Sequence, residues 1–252
     1  MSGKVFLVGA GPGDPELLTL AGARALASAD VVLVDDLVNK AVLAHTRPGT
    51  RVVAVGKRGG CKSTPQAFIE RLMIQEARAG HTVVRLKGGD PFLFGRGGEE
   101  SAHLRTAGIE VTVIPGITSG LAAPLAAGVS VTHRDSSPGV IFVTGHEKDG
   151  AYERIDWKAL AASGLTLVVY MGVARAARIQ QRLLEAGLAA ATPVAAIASA
   201  TLPEQRIATG TLATMAETIE REQIVSPAIL VIGEVARAAV SELLATARAA
   251  TA

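Results

Sequence analysis

The chain has 252 residues, of which 49% are hydrophobic and only 19% are charged, and this balance excludes a disordered polymer or a charge-rich coiled coil. The 25 basic and 23 acidic residues leave a net charge of +2, so we expect no nucleic-acid partner, which would require a clustered basic excess. A single cysteine, Cys61, excludes an internal disulfide and a thiolate metal cluster. The five scattered histidines include no helical ligand pair, so no metal site is expected.

Neither secretion nor membrane insertion is predicted. The first residues run directly into Val5-Phe6-Leu7-Val8, without the longer apolar segment and cleavage site of a signal peptide. The charge-free stretch 111–132 is long enough to span a membrane, but it contains two prolines and three glycines. We interpret this stretch as a buried strand, a turn and a small-residue helix. A cytoplasmic protein with no membrane partner is therefore expected.

In the first half of the chain, short β-branched runs alternate with longer amphipathic or alanine-rich stretches. This pattern is typical of a mostly parallel sheet with crossover helices. We expect these elements to form an N-terminal α/β domain over residues 1–127. The predicted strands are 4–8, 31–35, 51–55, 82–87 and 110–114, and the predicted helices are 15–28, 64–79, 96–107 and 117–127.

Turn-forming and polar residues between Gly128 and Gly139 predict a domain boundary, so a second α/β domain is expected over residues 128–252. The runs 193–198 and 205–210 are joined by a connection too short for a parallel crossover. This pair is therefore predicted to be antiparallel and the second sheet to be mixed. The predicted strands are 140–144, 166–171, 193–198, 205–210 and 227–232, and the predicted helices are 173–186, 212–222 and 234–248.

Glycine-rich or otherwise unusual turns follow most of the predicted strands. In open α/β sheets, ligands bind at the carboxyl ends of strands, where missing Cβ atoms let backbone groups come close to a ligand. Ordinary strand-to-helix geometry would explain one such turn, but several at one sheet edge favour a binding site. The turns are Gly9–Asp14, Gly56–Gly60, Gly88–Pro91, Pro115–Ser119 and Met171–Gly172.

The first turn alone is compatible with a dinucleotide-binding oxidoreductase or a Rossmann-like methyltransferase. In that interpretation, Asp35 at the end of the second strand would bind ribose hydroxyls. However, the third glycine of G-x-G-x-x-G would fall on Asp14, which would put a carboxylate beside the pyrophosphate. An oxidoreductase that uses NAD is therefore the minor alternative.

Several segments together resemble the tetrapyrrole methylase family, over about residues 3 to 240. The run 85–100 is long and specific, whereas G-x-G-P-G alone is a weak signal. Later corrin-ring methyltransferases usually vary this run, so its presence favours the family member that acts on uroporphyrinogen III. A later corrin-ring methyltransferase and a non-catalytic sensor remain alternatives. The segments are V-G-A-G-P-G-D-P (8–15), V-D-D-L-V (34–38), V-G-K-R-G-G (55–60), R-L-K-G-G-D-P-F-L-F-G-R-G-G-E-E (85–100), V-I-P-G-I-T-S (113–119), T-H-R (132–134), V-T-G-H (143–146), Y-M-G (170–172) and S-P-A-I-L-V-I-G (226–233).

The resemblance implies a two-domain tetrapyrrole methylase fold, with a mostly parallel N-terminal sheet, a mixed C-terminal sheet and flanking helices. It implies that S-adenosylmethionine (SAM) binds in the cleft between the domains and leaves as S-adenosylhomocysteine. The implied reaction is methyl transfer to carbons 2 and 7 of uroporphyrinogen III, which gives precorrin-2 for sirohaem or cobalamin biosynthesis. A homodimer is also implied.

By the same resemblance, a set of residues from both halves of the chain is expected to contact SAM. Asp90, Thr118 and Ser119 have a structural alternative, since these residue types also cap helices and turns. An isolated methionine such as Met171 is more often a core residue. The expected SAM contacts are Pro12, Gly88, Gly89, Asp90, Leu93, Thr118, Ser119, Met171, Ala200 and Ala228.

The resemblance also assigns roles to charged residues. Asp35 matches a position proposed as the general base, and Lys57 matches one proposed as a proton donor. The structural alternatives are a cap or a salt bridge for Asp35, and a solvated loop for Lys57 and Arg58. Uroporphyrinogen III carries eight carboxylates, so guanidinium groups are needed near it. Arg58 and Arg134 are therefore predicted to bind the substrate.

Overall fold

The structure is a computed structural model, and it describes residues 3–56, 64–146 and 154–239. Backbone contacts divide the chain into two compact units, Met1–Ser119 (unit 1) and Gly120–Ala252 (unit 2). The predicted domain boundary between residues 127 and 128 lies close to this division and stays a prediction.

Unit 1 contains a five-stranded sheet of β1 (Lys4–Gly9), β2 (Val31–Val34), β3 (Arg51–Ala54), β4 (Val83–Lys87) and β5 (Glu110–Ile114). The strand order is β3-β2-β4-β1-β5, and every pairing is parallel. Strands β2 and β4 are buried along their whole length, as expected of parallel strands that are covered on both faces. The predicted strands and the parallel sheet are confirmed.

The described helices of unit 1 are α1 (Leu20–Ser28), α2 (Gln66–Arg78) and α3 (Gly97–Thr106). Helix α4 (Ser119–Ala126) begins at the last residue of unit 1 and otherwise lies in unit 2. Leu26 of α1 belongs to one buried cluster with Val32 and Val84. Met73 of α2 and Leu104 of α3 belong to a second cluster, on the opposite sheet face, with alternate strand residues such as Leu7, Leu33 and Val83. Burial of a leucine side chain, such as that of Leu26 or Leu104, stabilises the fold by about 1.5–3 kcal/mol.

The predicted helix 15–28 is interrupted. Residues Pro15–Leu17 form a single 3₁₀ turn, and the backbone of Leu18 and Thr19 is extended before α1 begins. The Thr19 hydroxyl accepts the backbone N–H of Gly22 at 3.0 Å, so Thr19 starts a new helix. A second 3₁₀ segment, Lys40–His45, was not predicted.

Unit 2 contains β6 (Val140–Thr144), β7 (Thr166–Tyr170), β8 (Pro193–Ala198), β9 (Arg206–Thr211) and β10 (Ala228–Ile232). The strand order is β6-β7-β10-β8-β9. Strands β6 and β7 are parallel, and the other pairings, including β8 with β9, are antiparallel. The predictions of a mixed second sheet and of an antiparallel pair are both confirmed.

Besides most of α4, the described part of unit 2 contains α5 (Trp157–Ala162), α6 (Ala176–Glu185) and α7 (Met215–Arg221). All three contribute buried residues to one cluster on the sheet, among them Trp157, Ile179 and Met215. Helix α5 was not predicted, although Asp156 caps it by accepting the backbone N–H of Ala159 at 2.9 Å. Of the predicted helix 234–248, residues 240–248 lie outside the described part of the chain.

Within the described ranges, no helix combines the length and the apolar character that crossing a bilayer requires.

Candidate functional site

Three glycine turns of unit 1 meet at the carboxyl edge of its sheet, because β4, β1 and β5 are neighbours there. The N–H of Gly89 donates to the carbonyl of Gly11 at 2.7 Å, and the N–H of Gly11 donates back at 3.3 Å. This short bridge joins the turn after β1 to the turn after β4. It brings Gly88 and Gly89 next to the segment that carries Pro12.

The turns are packed closely enough to exclude side chains. A Cβ atom on Gly116 would lie 2.2 Å from the carbonyl oxygen of Gly89, and one on Gly9 would lie 2.5 Å from the same oxygen. Gly89 itself has φ +65°, a conformation that favours glycine. The glycines are therefore required by backbone contact, and the turns form one connected rim.

The Asp90 carboxylate connects two of these turns. Its Oδ1 accepts the N–H of Phe92 at 2.8 Å, and its Oδ2 accepts the N–H of Gly116 at 3.1 Å. The structural role considered for Asp90 is therefore present. Each carboxylate oxygen has further acceptor capacity, and the residue is only half-buried, so a ligand contact is compatible with these bonds.

The other residues of unit 1 that were expected to contact SAM lie on the same rim or directly after it. Thr118 precedes α4 and Ser119 is its first residue, after the turn at Gly116. Pro12, Leu93, Thr118 and Ser119 are all half-buried, so each retains accessible surface.

Unit 2 brings its three expected SAM contacts to one edge of its own sheet. Met171 follows the last residue of β7, Ala200 follows β8 by two residues, and Ala228 begins the antiparallel β10 between them. The N–H of Ser199 donates to the carbonyl of Pro227 at 3.0 Å, which holds the β8 and β10 ends together. Met171 has φ +55° and is 46% exposed, so it is not the core residue that was considered as its alternative.

Asp35 lies at the carboxyl end of β2, on the edge of unit 1 that carries the glycine turns. Its Oδ1 accepts a hydrogen bond from Nη2 of Arg85 at 2.6 Å, and its Oδ2 lies 3.7 Å from Nζ of Lys87. Both cations also contact the Glu100 carboxylate, Arg85 through Nε and Lys87 through Nζ, each at 3.2 Å. The salt bridge considered for Asp35 is thus present, within a cluster of four charged residues.

The burial of this cluster is uneven. The side chains of Arg85, Lys87 and Glu100 are 2%, 6% and 0% exposed, whereas that of Asp35 is 28% exposed. Burial, reinforced by the neighbouring positive charge of Arg85, lowers the pKa of Lys87 from its ordinary value. Asp35 is therefore the member of the cluster that a substrate can reach.

Our sequence interpretation did not identify Arg85, Lys87 and Glu100 as a group. The available signal was two basic residues at alternate positions of β4, a strand whose other residues are apolar. Alternate residues point to the same face of a strand, so both cations point toward α3, which carries Glu100. A buried charge requires a partner, and such a pattern therefore predicts one.

The remaining predicted residues are placed differently. Arg134 is exposed in a turn of unit 2 that is closed by the N–H of His133 donating to the carbonyl of Ser137 at 2.8 Å. Lys57 and Arg58 lie outside the described residues. Their predicted roles in proton donation and substrate binding remain predictions.

An open groove of about 870 Å³ lies elsewhere in unit 2, between the first turn of α6 and the end of α7. None of the predicted site residues lines it, so we do not assign the site to this groove. Within the described ranges, histidine, cysteine, aspartate and glutamate form no group of three that would hold a metal ion.

Comparison with protein families and curated sequences gives a consistent result. The family model for "Tetrapyrrole (Corrin/Porphyrin) Methylases" matches residues 4–216. A uroporphyrinogen-III C-methyltransferase of Pseudomonas aeruginosa is 57% identical over 242 residues, which cover 96% of this chain and 98% of that one. A siroheme synthase of Azotobacter vinelandii is 49% identical over 235 residues, which cover 93% of this chain and 50% of the longer protein.

Solved structures show the same similarity. Uroporphyrin-III C-methyl transferase from Thermus thermophilus, complexed with S-adenyl homocysteine, aligns with a TM-score of 0.80 and 43% identity and covers 93% of this chain and 94% of its own. A cobalt precorrin-4 methyltransferase of cobalamin biosynthesis aligns with a TM-score of 0.83 and 29% identity, over 92% of this chain and 95% of its own.

Proposed function

Because the chain belongs to the tetrapyrrole methylase family, we propose that it is a SAM-dependent C-methyltransferase that acts on uroporphyrinogen III. The observation that carries this proposal is the high identity, over nearly the whole of both chains, to relatives named for that activity. Methyl transfer to carbons 2 and 7 would give precorrin-2, and S-adenosylhomocysteine would be the second product.

A later corrin-ring methyltransferase is the second candidate, because the cobalt precorrin-4 enzyme shares this fold equally well. Fold similarity therefore does not separate the two activities. Sequence identity does, since it is clearly higher to the uroporphyrinogen-III enzymes than to the precorrin-4 enzyme. We therefore favour uroporphyrinogen III as the methyl acceptor.

The glycine rim of unit 1 fits a nucleoside with a charged amino-acid tail. Gly88 and Gly89 leave their backbone groups uncovered by a Cβ atom, and the Asp90 carboxylate can accept further hydrogen bonds from hydroxyl or ammonium groups. Thr118 and Ser119 add hydroxyl groups, whereas Pro12 and Leu93 contribute shape. When bound, SAM supplies a methyl group from a sulfonium.

Unit 2 contributes mainly backbone and apolar surface. Met171 presents an exposed thioether side chain, whereas Ala200 is buried at 9% exposure and Ala228 is half-buried, so these two alanines contribute backbone and shape only. We assign these three residues to SAM. Apolar contacts of this kind exclude water from the donor, which suits a displacement that turns a cation into a neutral thioether.

Asp35 is assigned to proton removal. Each transfer forms a carbon–carbon bond at the macrocycle, breaks a carbon–sulfur bond and releases one proton from the macrocycle. The partly exposed Asp35 carboxylate takes this proton. A proton that Lys57 donates at one ring position is balanced by a second proton lost at another position, so the macrocycle still loses one proton per methyl transfer. Arg58 and Arg134 pair with substrate carboxylates.

The test is an anaerobic, reducing incubation of the protein with SAM and uroporphyrinogen III, followed by mass spectrometry. We expect tetrapyrroles that are heavier by one and then by two methyl groups. Asp35→Asn should lower the rate by about 10²–10⁴-fold, the usual contribution of a general base. Unmodified uroporphyrinogen III, together with methylation of an offered precorrin, would favour the later-pathway alternative instead.

We also propose that the chain forms a homodimer, acts in the cytoplasm and binds no nucleic acid. The near-neutral net charge of +2 supports the last point, because a phosphate-binding surface needs a basic excess. Light scattering coupled to gel filtration tests the dimer, and a monomer mass at micromolar concentration would contradict it.

A further inference from the structure

The two ends of the segment 85–100 close on each other through buried charges. Arg85 and Lys87 stand at its start in β4, and Glu100 stands at its end in α3. The Glu100 carboxylate lies 3.2 Å from both cations and also accepts the side-chain amide of Gln66 at 2.9 Å. The turn with Gly88, Gly89 and Asp90 lies inside this closed segment.

The cluster is balanced in charge, with two cations facing two carboxylates. Loss of one partner from a buried ion cluster leaves an uncompensated charge, which is far more costly than loss of a matched pair. Arg85 and Glu100 are buried beyond the reach of a substrate. Whatever they contribute to the reaction must therefore pass through Asp35, the partly exposed member.

We propose that Arg85 is a positioning residue for Asp35, held in place by Glu100, and this inference rests on the proposed function. Arg85 donates from Nη2 to Asp35 at 2.6 Å and from Nε to Glu100 at 3.2 Å, while its Nη1 faces the carbonyls of Leu33 and Leu86 at 3.5 Å. A planar guanidinium makes these contacts at once, which an ammonium group does not.

The geometry also distinguishes the two oxygens of Asp35. Oδ1 is held by the short bond to Arg85, whereas among the described residues Oδ2 has only the longer, 3.7 Å approach of Lys87. Oδ2 is therefore the oxygen that receives the substrate proton. Rotation of the carboxylate would exchange the two oxygens, and the Arg85 bond opposes that rotation.

Arg85→Lys keeps the positive charge but removes the planar contact surface. We expect kcat to fall by about 10²-fold, the usual effect of misplacing a catalytic group by about 1 Å, with S-adenosylhomocysteine affinity unchanged within about twofold. The double variant Arg85→Met/Glu100→Gln removes one positive and one negative charge together. Lys87 and Asp35 then remain as a charge-balanced pair, so no uncompensated buried charge favours unfolding. The double variant should show the same loss of kcat and an unchanged affinity.

Glu76→Gln is the matched control. Glu76 is also buried in unit 1 and lies 2.9 Å from Nδ1 of His81, but it is on α2 near the amino ends of the strands. This variant should lose stability and keep the wild-type kcat. Equal kcat in the wild type and in both folded Arg85 variants would overturn the inference.

A crystal structure of each Arg85 variant gives a readout that does not depend on activity. The Asp35 carboxylate should be rotated or displaced in both, and an unchanged Asp35 would contradict the positioning role. Failure of the proposed function has a different signature, because the wild type itself would then transfer no methyl group to uroporphyrinogen III.

Discussion

The Asp90 carboxylate accepts the backbone N–H of Gly116 at 3.1 Å, across two turns that are 26 residues apart in the chain. Because the same carboxylate also accepts the N–H of Phe92, one side chain sets the positions of both turns. Glycine turns are intrinsically mobile, and a connection of this kind preorganises the rim before a ligand arrives.

Asp90→Ala should therefore weaken S-adenosylhomocysteine binding and leave the fold intact. Each lost hydrogen bond to a charged group costs about 1.5–3 kcal/mol, so an affinity loss of at least about tenfold is expected. Titration calorimetry measures it. Asp156→Ala, which removes the cap of α5 in unit 2, is the control and should bind as the wild type does. If Asp90→Ala bound S-adenosylhomocysteine as tightly as the wild type does, Asp90 would not be a ligand contact.

Gly116→Ala tests the close packing of the rim. The new Cβ would lie 2.2 Å from the Gly89 carbonyl oxygen, and the backbone would have to move, at a cost of about 1–3 kcal/mol. Gly98→Ala is the matched control in α3, because its Cβ would meet nothing within 4 Å. It should stabilise the protein by about 0.5–1 kcal/mol. Urea unfolding measures the stability of both variants. Equal unfolding midpoints for Gly116→Ala and Gly98→Ala would refute the packing argument.

Met171 combines a proposed SAM contact with a left-handed backbone of φ +55°. Non-glycine residues in this conformation are strained by about 1–2 kcal/mol. Met171→Ala and Met171→Gly should both weaken S-adenosylhomocysteine binding. The glycine variant should be more stable than the alanine variant by about 1 kcal/mol, because glycine is not strained in this conformation. Thermal unfolding and calorimetry separate the two effects. Wild-type affinity in both variants would show that Met171 lies outside the site.

Glu76 predicts a pH dependence of stability. Its hydrogen bond with Arg51, followed by that with His81, lowers the pKa of Glu76 below its ordinary value of 4.5. The folded state therefore favours the carboxylate, and this stabilisation is present above pH 4.5 and disappears as the pH falls through the lowered value. The difference in unfolding free energy between the wild type and Glu76→Gln should be largest near pH 7 and shrink in acid. A constant difference would contradict this assignment.

Local patterns were sufficient for the strands and turns. The strands Val31–Val34 and Thr166–Tyr170 correspond to the predicted runs 31–35 and 166–171, because β-branched residues in short runs between turn formers favour strands. The antiparallel β8–β9 pair followed from the length of its connection alone. Short-range signals also exist for α5 and for the break at Thr19, since both have capping side chains, but caps alone are common in turns.

The charge cluster depended on contacts that no local pattern contains. Arg85 and Asp35 are 50 residues apart, and Gln66 and Glu100 are 34 apart, so their pairing depends on which strands are neighbours in the sheet. Composition, motif and spacing established from the chain alone an α/β protein whose glycine turns follow its strands. Only the folded chain determined that β2 lies beside β4, and this neighbourhood makes Arg85 the partner of Asp35. Strand order arises from packing between distant segments of the chain, so no single segment contains it.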